Sequence, residues 1–203
     1  MSKHYRIRQD LFVISTFIPT GARVLDLGCG DGELLHWLMT QHQCSGCGVE
    51  RDPNEVIKAI RRGVPLLDLD IDHQLDFFDS DSFDVVVLSR TLPAVLRPDI
   101  VLKHLCRIAP QVIVTMPNFG YWRHRVRLLL GRMPQSRDLP FSWYESPNLK
   151  YSTLRDLEPL FESCGLSISK RIPLTASGKA TLLNWGANLW ASSAIYMVHR
   201  TNS

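Results

Sequence analysis

The sequence predicts an α/β domain with a mostly parallel sheet, helices on both faces and an antiparallel hairpin near its C-terminal end, and three observations carry that prediction. Short apolar runs alternate with helix-length amphipathic stretches along most of the chain. The first run, Val24-Leu25-Asp26-Leu27, feeds directly into the glycine-rich turn Gly28-Cys29-Gly30-Asp31-Gly32. The run Phe83-Asp84-Val85-Val86-Val87-Leu88-Ser89 is nearly continuous in apolar residues, as suits a central strand covered on both faces. With 203 residues the chain fits one domain, 1–203, long enough to bury a core without disulfides or metal. It holds no internal repeat, low-complexity tract or linker.

Each element has its own local reason. Ile7, Leu11, Ile14, Phe17 and Ile18 recur at helical spacing and stop at Pro19-Thr20-Gly21, predicting a first helix that covers the edge of the site formed by the glycine turn. Strand one spans 23–27, and a helix over 33–40 begins at Gly32, where its free amide groups point back toward a ligand. Strand two ends at Glu50. Asp52-Pro53 supplies an N-cap and a first-turn proline, and Gly63 a C-terminal stop, for a helix over 54–62. A short strand at 65–67 leads into the acidic loop Asp68-Leu69-Asp70-Ile71-Asp72, and strand four spans 83–89. A helix over 98–108, a strand over 111–116 and a capped helix from Ser152 or Thr153 to Gly165 follow, before strands at 167–172 and 194–199 close the sheet as an antiparallel pair.

The glycine turn is the richest site signal. Glycines let the backbone turn sharply and approach a ligand without a Cβ in the way, and an acid about twenty residues later is placed to accept hydrogen bonds from ribose hydroxyls, here Glu50. A dinucleotide fingerprint needs a third glycine where Glu33 stands, so an NAD-dependent oxidoreductase fits poorly. Asp26, Asp31, Glu50 and Asp70 would surround a ligand with carboxylates, which repel a pyrophosphate and suit a cation. S-adenosylmethionine, with a sulfonium, an ammonium and no phosphate, is such a ligand, and S-adenosylhomocysteine shares its amino acid and nucleoside.

Composition narrows the rest. A net charge of +3 is too near neutral to demand a nucleic-acid partner. No apolar run approaches the roughly 18–20 residues of a membrane span, and the first ten residues lack a secretory signal core, so the expectation is a cytoplasmic protein without a membrane partner. Five cysteines at 29, 44, 47, 106 and 164 make no disulfide framework. Cys44-Ser45-Gly46-Cys47 near His42 has the spacing of a metal knuckle or redox pair, but it lacks a second ligand pair and runs into a strand rather than opening a helix, so no metal site is expected.

Between Gly120 and Tyr151 lies an inserted basic and aromatic segment. Arg123, His124, Arg125 and Arg127 alternate with Trp122, Val126, Leu129, Leu130 and Met133 at helical offsets, predicting an amphipathic helix whose apolar stripe joins the core or meets a partner. Trp143 and Tyr144 follow between Pro140 and Pro147, residue types that dominate interfaces. Leu182, Leu183, Trp185, Leu189 and Trp190, in the connection 175–190, are expected mainly to pack into the core. Asn118 is read either as an acceptor for substrate or as the cap of the next helix, with capping favoured.

Residues 24–35 resemble motif I of class I S-adenosylmethionine-dependent methyltransferases. More narrowly, Phe83 to Ser89, Pro117-Asn118-Phe119-Gly120-Tyr121-Trp122-Arg123, and Leu139-Pro140-Phe141-Ser142-Trp143-Tyr144 followed by Pro147-Asn148 resemble the MetW family of methionine biosynthesis proteins. The resemblance implies a Rossmann-like class I methyltransferase fold with seven strands. It also implies Asp26, Gly28 and Gly30 along the methionine end of S-adenosylmethionine, Glu50 at the ribose, and Asp70 at the adenine amino group, with Asp68 or Asp72 as alternatives to Asp70, and Asp31, Gly32 and Ser89 as further cofactor-binding residues. Arg90 and Pro93 stand where that family carries glutamines. The implied role is partner or activator of homoserine O-acyltransferase, an accessory subunit rather than an independent catalyst, with a small-molecule methyltransferase as the alternative and homodimerisation open.

Overall fold

The computed structural model describes residues 7–201. Along the chain run α1 (Gln9–Ser15), β1 (Arg23–Leu27), α2 (Glu33–Gln41), β2 (Ser45–Val49), α3 (Pro53–Arg61), β3 (Leu66–Leu67) and β4 (Val85–Ser89). Then come α4 (Pro98–Ile108), β5 (Gln111–Pro117), α5 (Trp122–Leu129), α6 (Leu154–Ser163), β6 (Leu166–Leu174), α7 (Ala187–Trp190) and β7 (Ser193–Arg200). The strands form one seven-stranded sheet in the order β3-β2-β1-β4-β5-β7-β6. Pairing is parallel from β3 to β5, while β7 runs antiparallel to both β5 and β6.

The order places β1 between β2 and β4, so successive crossovers leave β1 in opposite directions. A crevice opens at such a reversal, outside the C-terminal ends of the two strands. Alternation along β4 builds a core on each side of the sheet. Val86 and Leu88 pack with Leu102, Leu105 and Phe161 under α4 and α6. Val85 and Val87 face Ile14, Leu34, Leu38 and Ala59 under α1, α2 and α3.

Local chemistry sets the helix boundaries. The Asp52 side chain accepts from the Asn54 amide at 2.8 Å with Pro53 in the first turn, and Gly63 adopts φ +78° just beyond α3. Thr153 and Asp156 form a reciprocal capping box at the start of α6. The first helix is shorter than the apolar spacing suggested, and β6 is longer, reaching Leu174 against β7.

Two apolar stretches stay outside the core, one against expectation and one, on α5, where the sequence leaves core or partner open. The apolar residues of α5 do not join the core: Val126 and Leu128 are exposed, Leu129 is 87% exposed, and the residue that α5 buries is His124. In the connection before β7, Leu182 is 97% and Trp185 87% exposed, with Leu183 and Leu189 also outside, while Trp190 packs against the core. Periodicity identifies a face, but the face needs an opposing surface, and the sheet is already covered by α4 and α6 on one side and α1 to α3 on the other.

Phe161 is fully buried with its ring 5.4 Å from that of Tyr196. Phe161→Ala is expected to cost about 3–5 kcal/mol, read from the urea midpoint. A loss below about 1 kcal/mol would show that α6 is not a structural part of the sheet's cover.

Candidate ligand site

The site grows from the end of β1. The amides of Gly28 and Cys29 donate to the Val49 carbonyl at 2.8 and 3.1 Å, tying the turn to the end of β2. Gly28 has φ +73°, and a Cβ there would lie 2.2 Å from Thr91 Oγ1, so only glycine lets this turn sit against the chain leaving β4. Gly30, at φ +56°, faces open space. Glu50 follows β2 and closes the turn from the other side. Its Oε2 accepts from the Gly30 amide at 2.8 Å, and its Oε1 accepts from Arg51 and Asp52 amides at 2.7 and 2.9 Å. A carboxylate fixed on both oxygens by backbone donors is oriented before any ligand arrives.

Two cavities meet at Gly28, which lines both. One, about 330 Å³, is walled by Asp26, Gly30, Ser89, Arg90, Arg8 and Leu11 among others. The second, about 350 Å³, is walled by Glu50, Asp70, Ile71, Thr91, Val95 and Pro147 among others. Leu11 brings α1 to the edge, where the sequence placed the first helix. Asp26, Gly28, Gly30, Asp31 and Ser89 thus gather on one side, and Glu50 and Asp70 on the other. Gly32 lies outside both walls: it caps α2 at φ +73°, and a Cβ there would press on Val64 and Ala59, so its demand comes from packing. Asp72 shares the second cavity, but its Oδ1 already accepts from the Leu96 amide at 2.8 Å.

The electrostatics are uneven. Asp26 is 2% exposed, and its Oδ1 has no hydrogen-bond partner. Burial, with the Glu50 charge adding to it, pushes the Asp26 carboxyl up to about 7. Ser89 Oγ and Arg90 Nε are also buried without partners in the same cavity wall. Asp70 stays below the usual carboxylate range, held there by the Asp72 amide, His73 and Arg51. Asp31 is paired to Arg62 at 2.6 Å. Burial pushes the Cys29 thiol far up, which leaves it a poor nucleophile. Unsatisfied buried polar atoms are rare in native proteins, and three in one cavity wall fit a polar ligand with both an ammonium and a carboxylate.

Other assignments change. Asn118 is wholly buried: its Nδ2 donates to the carbonyls of Asn188 and Ala191 at 3.0 and 2.8 Å, and its Oδ1 accepts from the Gly120 amide. It neither caps α5, whose N-cap is Tyr121, nor faces a substrate; it braces the exit of β5 against α7. The site residue that motif reading left outside is Arg90, with φ +61° and partners distant in sequence, which no local pattern could reveal. A larger cavity, about 710 Å³, lies elsewhere, between α1 and β6, and none of the unpartnered buried atoms belongs to its walls. Among the described residues no group of His, Cys, Asp and Glu could hold a metal ion, and no helix is long and apolar enough to cross a membrane.

The sheet order and the crevice at β1 and β4 define a Rossmann-like, class I methyltransferase-type domain. A methyltransferase from Thermotoga maritima described as S-adenosylmethionine-dependent superposes with a TM-score of 0.68 at 18% identity, covering 95% of this chain and 88% of that one. Magnesium protoporphyrin IX methyltransferase from Synechocystis, solved with bound S-adenosylhomocysteine, gives 0.67 at 15% identity over 96% and 83%. Residues 8–198 match the family model for methionine biosynthesis protein MetW, and the chain belongs to that family. It is 31% identical over 200 residues to the bifunctional methionine biosynthesis protein MetXA/MetW of Rhodopirellula baltica, covering 93% of this chain. The chain spans about a third of that relative's length, 32%.

The raised Asp26 carboxyl makes stability depend on pH. Its folded value of about 7 exceeds the unfolded 3.8, so the folded state holds an extra proton between these values and stability falls as pH rises through that window. The loss is on the order of 4 kcal/mol at most. Asp26→Asn is therefore expected to stabilise the ligand-free protein at pH 8 and to give no gain at pH 4, measured by urea unfolding. An unchanged difference at both pH values would refute the burial of this charge.

Proposed function

We propose that the chain binds S-adenosylmethionine or S-adenosylhomocysteine across the paired cavities and acts as an accessory partner of homoserine O-acyltransferase in methionine biosynthesis. The partner rests on one observation: a relative whose name joins MetXA, the acyltransferase, to MetW in a single protein. Two functions fused in one chain are functions that gain from being held together. The ligand rests on the orphaned Asp26 oxygen beside the glycine turn. In this reading Asp26 accepts from the ligand's ammonium and Glu50 from its ribose hydroxyls. Asp70 accepts from the adenine amino group, and Ile71, Ala94 and Val95 offer the apolar walls for the base. A cytoplasmic site of action is part of the same proposal.

The partner's docking face is the exposed segment between β5 and α6. Trp143, 73% exposed, packs edge-on to Tyr144 at 5.7 Å, and the Arg123 guanidinium lies over the Trp122 ring at 5.3 Å. Aromatic and arginine side chains standing in solvent are the groups that gain most from burial against another protein. Methyl transfer by the chain itself has less behind it, because the residues leaving β4 are Ser89, Arg90 and Thr91, and Arg90 is committed to Asp10 and Asp138.

Mixing the purified chain with the homoserine O-acyltransferase of the same organism is expected to give a complex on size exclusion. Replacing Trp143 and Tyr144 together by alanine is expected to weaken it by about tenfold or more while S-adenosylhomocysteine binding is retained. Absence of a complex at tens of micromolar would sink the partner reading. Acceptor-dependent release of S-adenosylhomocysteine across a metabolite panel would favour the methyltransferase alternative.

A further inference from the structure

We propose that Arg90 couples the amino-acid end of the ligand cavity to the segment between β5 and α6, so that a carboxylate bound in the cavity tightens the region carrying Trp143 and Tyr144. The inference rests on the ligand and docking face proposed above and adds the regulation that joins them.

Arg90 follows β4 directly and holds φ +61°, a conformation that costs a residue with a Cβ and persists only when its surroundings enforce it. The surroundings are an ion cluster of two buried acids and three partly exposed arginines. Arg90 Nη2 sits 3.0 Å from Asp10 Oδ2 on α1 and 2.7 Å from Asp138 Oδ1 in the segment after β5. Both carboxylates are buried. Arg8 and Arg137 reach Asp10 as well, at 3.1 and 3.2 Å, and Arg137 also donates to the Ser177 carbonyl in the connection before β7. Burial alone would raise the Asp10 carboxyl, but Arg90 and Arg8 outweigh it and hold it below the usual range. In formal charges, Arg8, Arg90 and Arg137 against Asp10 and Asp138 leave one positive charge in excess.

That excess faces the cavity. Arg8 and Arg90 line it, and the Arg90 Nε has no partner. The acids of the same wall are largely engaged: Asp31 with Arg62 at 2.6 Å, Glu55 with Lys58 at 2.6 Å, and Glu33 with the Arg8 amide at 3.0 Å. Asp26 keeps a buried oxygen without a partner, open to an ammonium. A ligand carboxylate completes the Arg90 guanidinium and cancels the excess charge beside two buried acids, where water screens it less than at the surface.

The far side of the cluster anchors the docking segment. Asp138 belongs to a turn closed by hydrogen bonds between Ser136 and Leu139, and Leu139 is buried beside Phe119 and Tyr151. Phe141, Trp143 and Tyr144 follow within six residues and are exposed. Firming the Arg90 to Asp138 contact therefore fixes the root from which the aromatic loop extends.

Hydrogen exchange on the full chain tests this with two ligands. S-adenosylhomocysteine is expected to slow amide exchange over residues 136–145 by about tenfold, within the usual range of allosteric coupling. 5′-Methylthioadenosine keeps the nucleoside but lacks the amino acid, and should bind without that protection. Asp138→Asn should keep S-adenosylhomocysteine binding by calorimetry and lose the protection. If both ligands bind and protect the segment equally, or neither protects it, the coupling is wrong while the ligand site stands. If neither ligand binds, the ligand reading falls, and the coupling with it.

Discussion

A single buried carboxylate with an open oxygen organises this molecule's site. Asp26 sits near the end of β1, beneath the glycine turn and near Glu50, in a position where ionisation is costly without a partner. Three backbone amides hold the Glu50 carboxylate in place, and its charge adds to the cost of ionising Asp26. Arg8 offsets only part of this cost, and a proton or a cationic group in the cavity above supplies further relief. The glycine turn at Gly28 and the crevice where the crossovers part open the cavity beside this carboxylate, and Ser89 Oγ and Arg90 Nε share its wall without partners.

Much of this was legible in the sequence because its causes are local. A strand that becomes a glycine turn, an Asp-Pro cap before a helix, and a continuous apolar run at the sheet centre each depend on neighbours within a few residues, and the structure has all three. The family segments resembling MetW were legible for the same reason, and the family match covers residues 8–198. Candidate ligand residues also gathered around the crevice, except Gly32, whose need for glycine comes from Val64 and Ala59.

What escaped the sequence depends on distant partners. Arg90 looked like a departure at the rim, and its place in a cluster with Asp10 and Asp138 follows from packing α1 and the post-β5 segment against the end of β4. Asn118 read as a cap or, less favoured, a substrate acceptor, yet its carbonyl partners lie 70 and 73 residues on. The apolar positions of the connection before β7 carried a correct pattern and a wrong destination, and those of α5 a correct pattern whose destination, core or partner, the sequence left open. Both sheet faces were already covered, so these side chains stand in solvent, where another protein can bury them.

The most direct test of the account is a nuclear magnetic resonance titration of the Asp26 side-chain carboxyl carbon, with and without S-adenosylhomocysteine. The account predicts a midpoint of about 7 in the free protein, falling toward the ordinary carboxylate range when the ligand's ammonium occupies the cavity. A free-protein midpoint already near 3.8, or one that saturating bound ligand leaves unmoved, would contradict it.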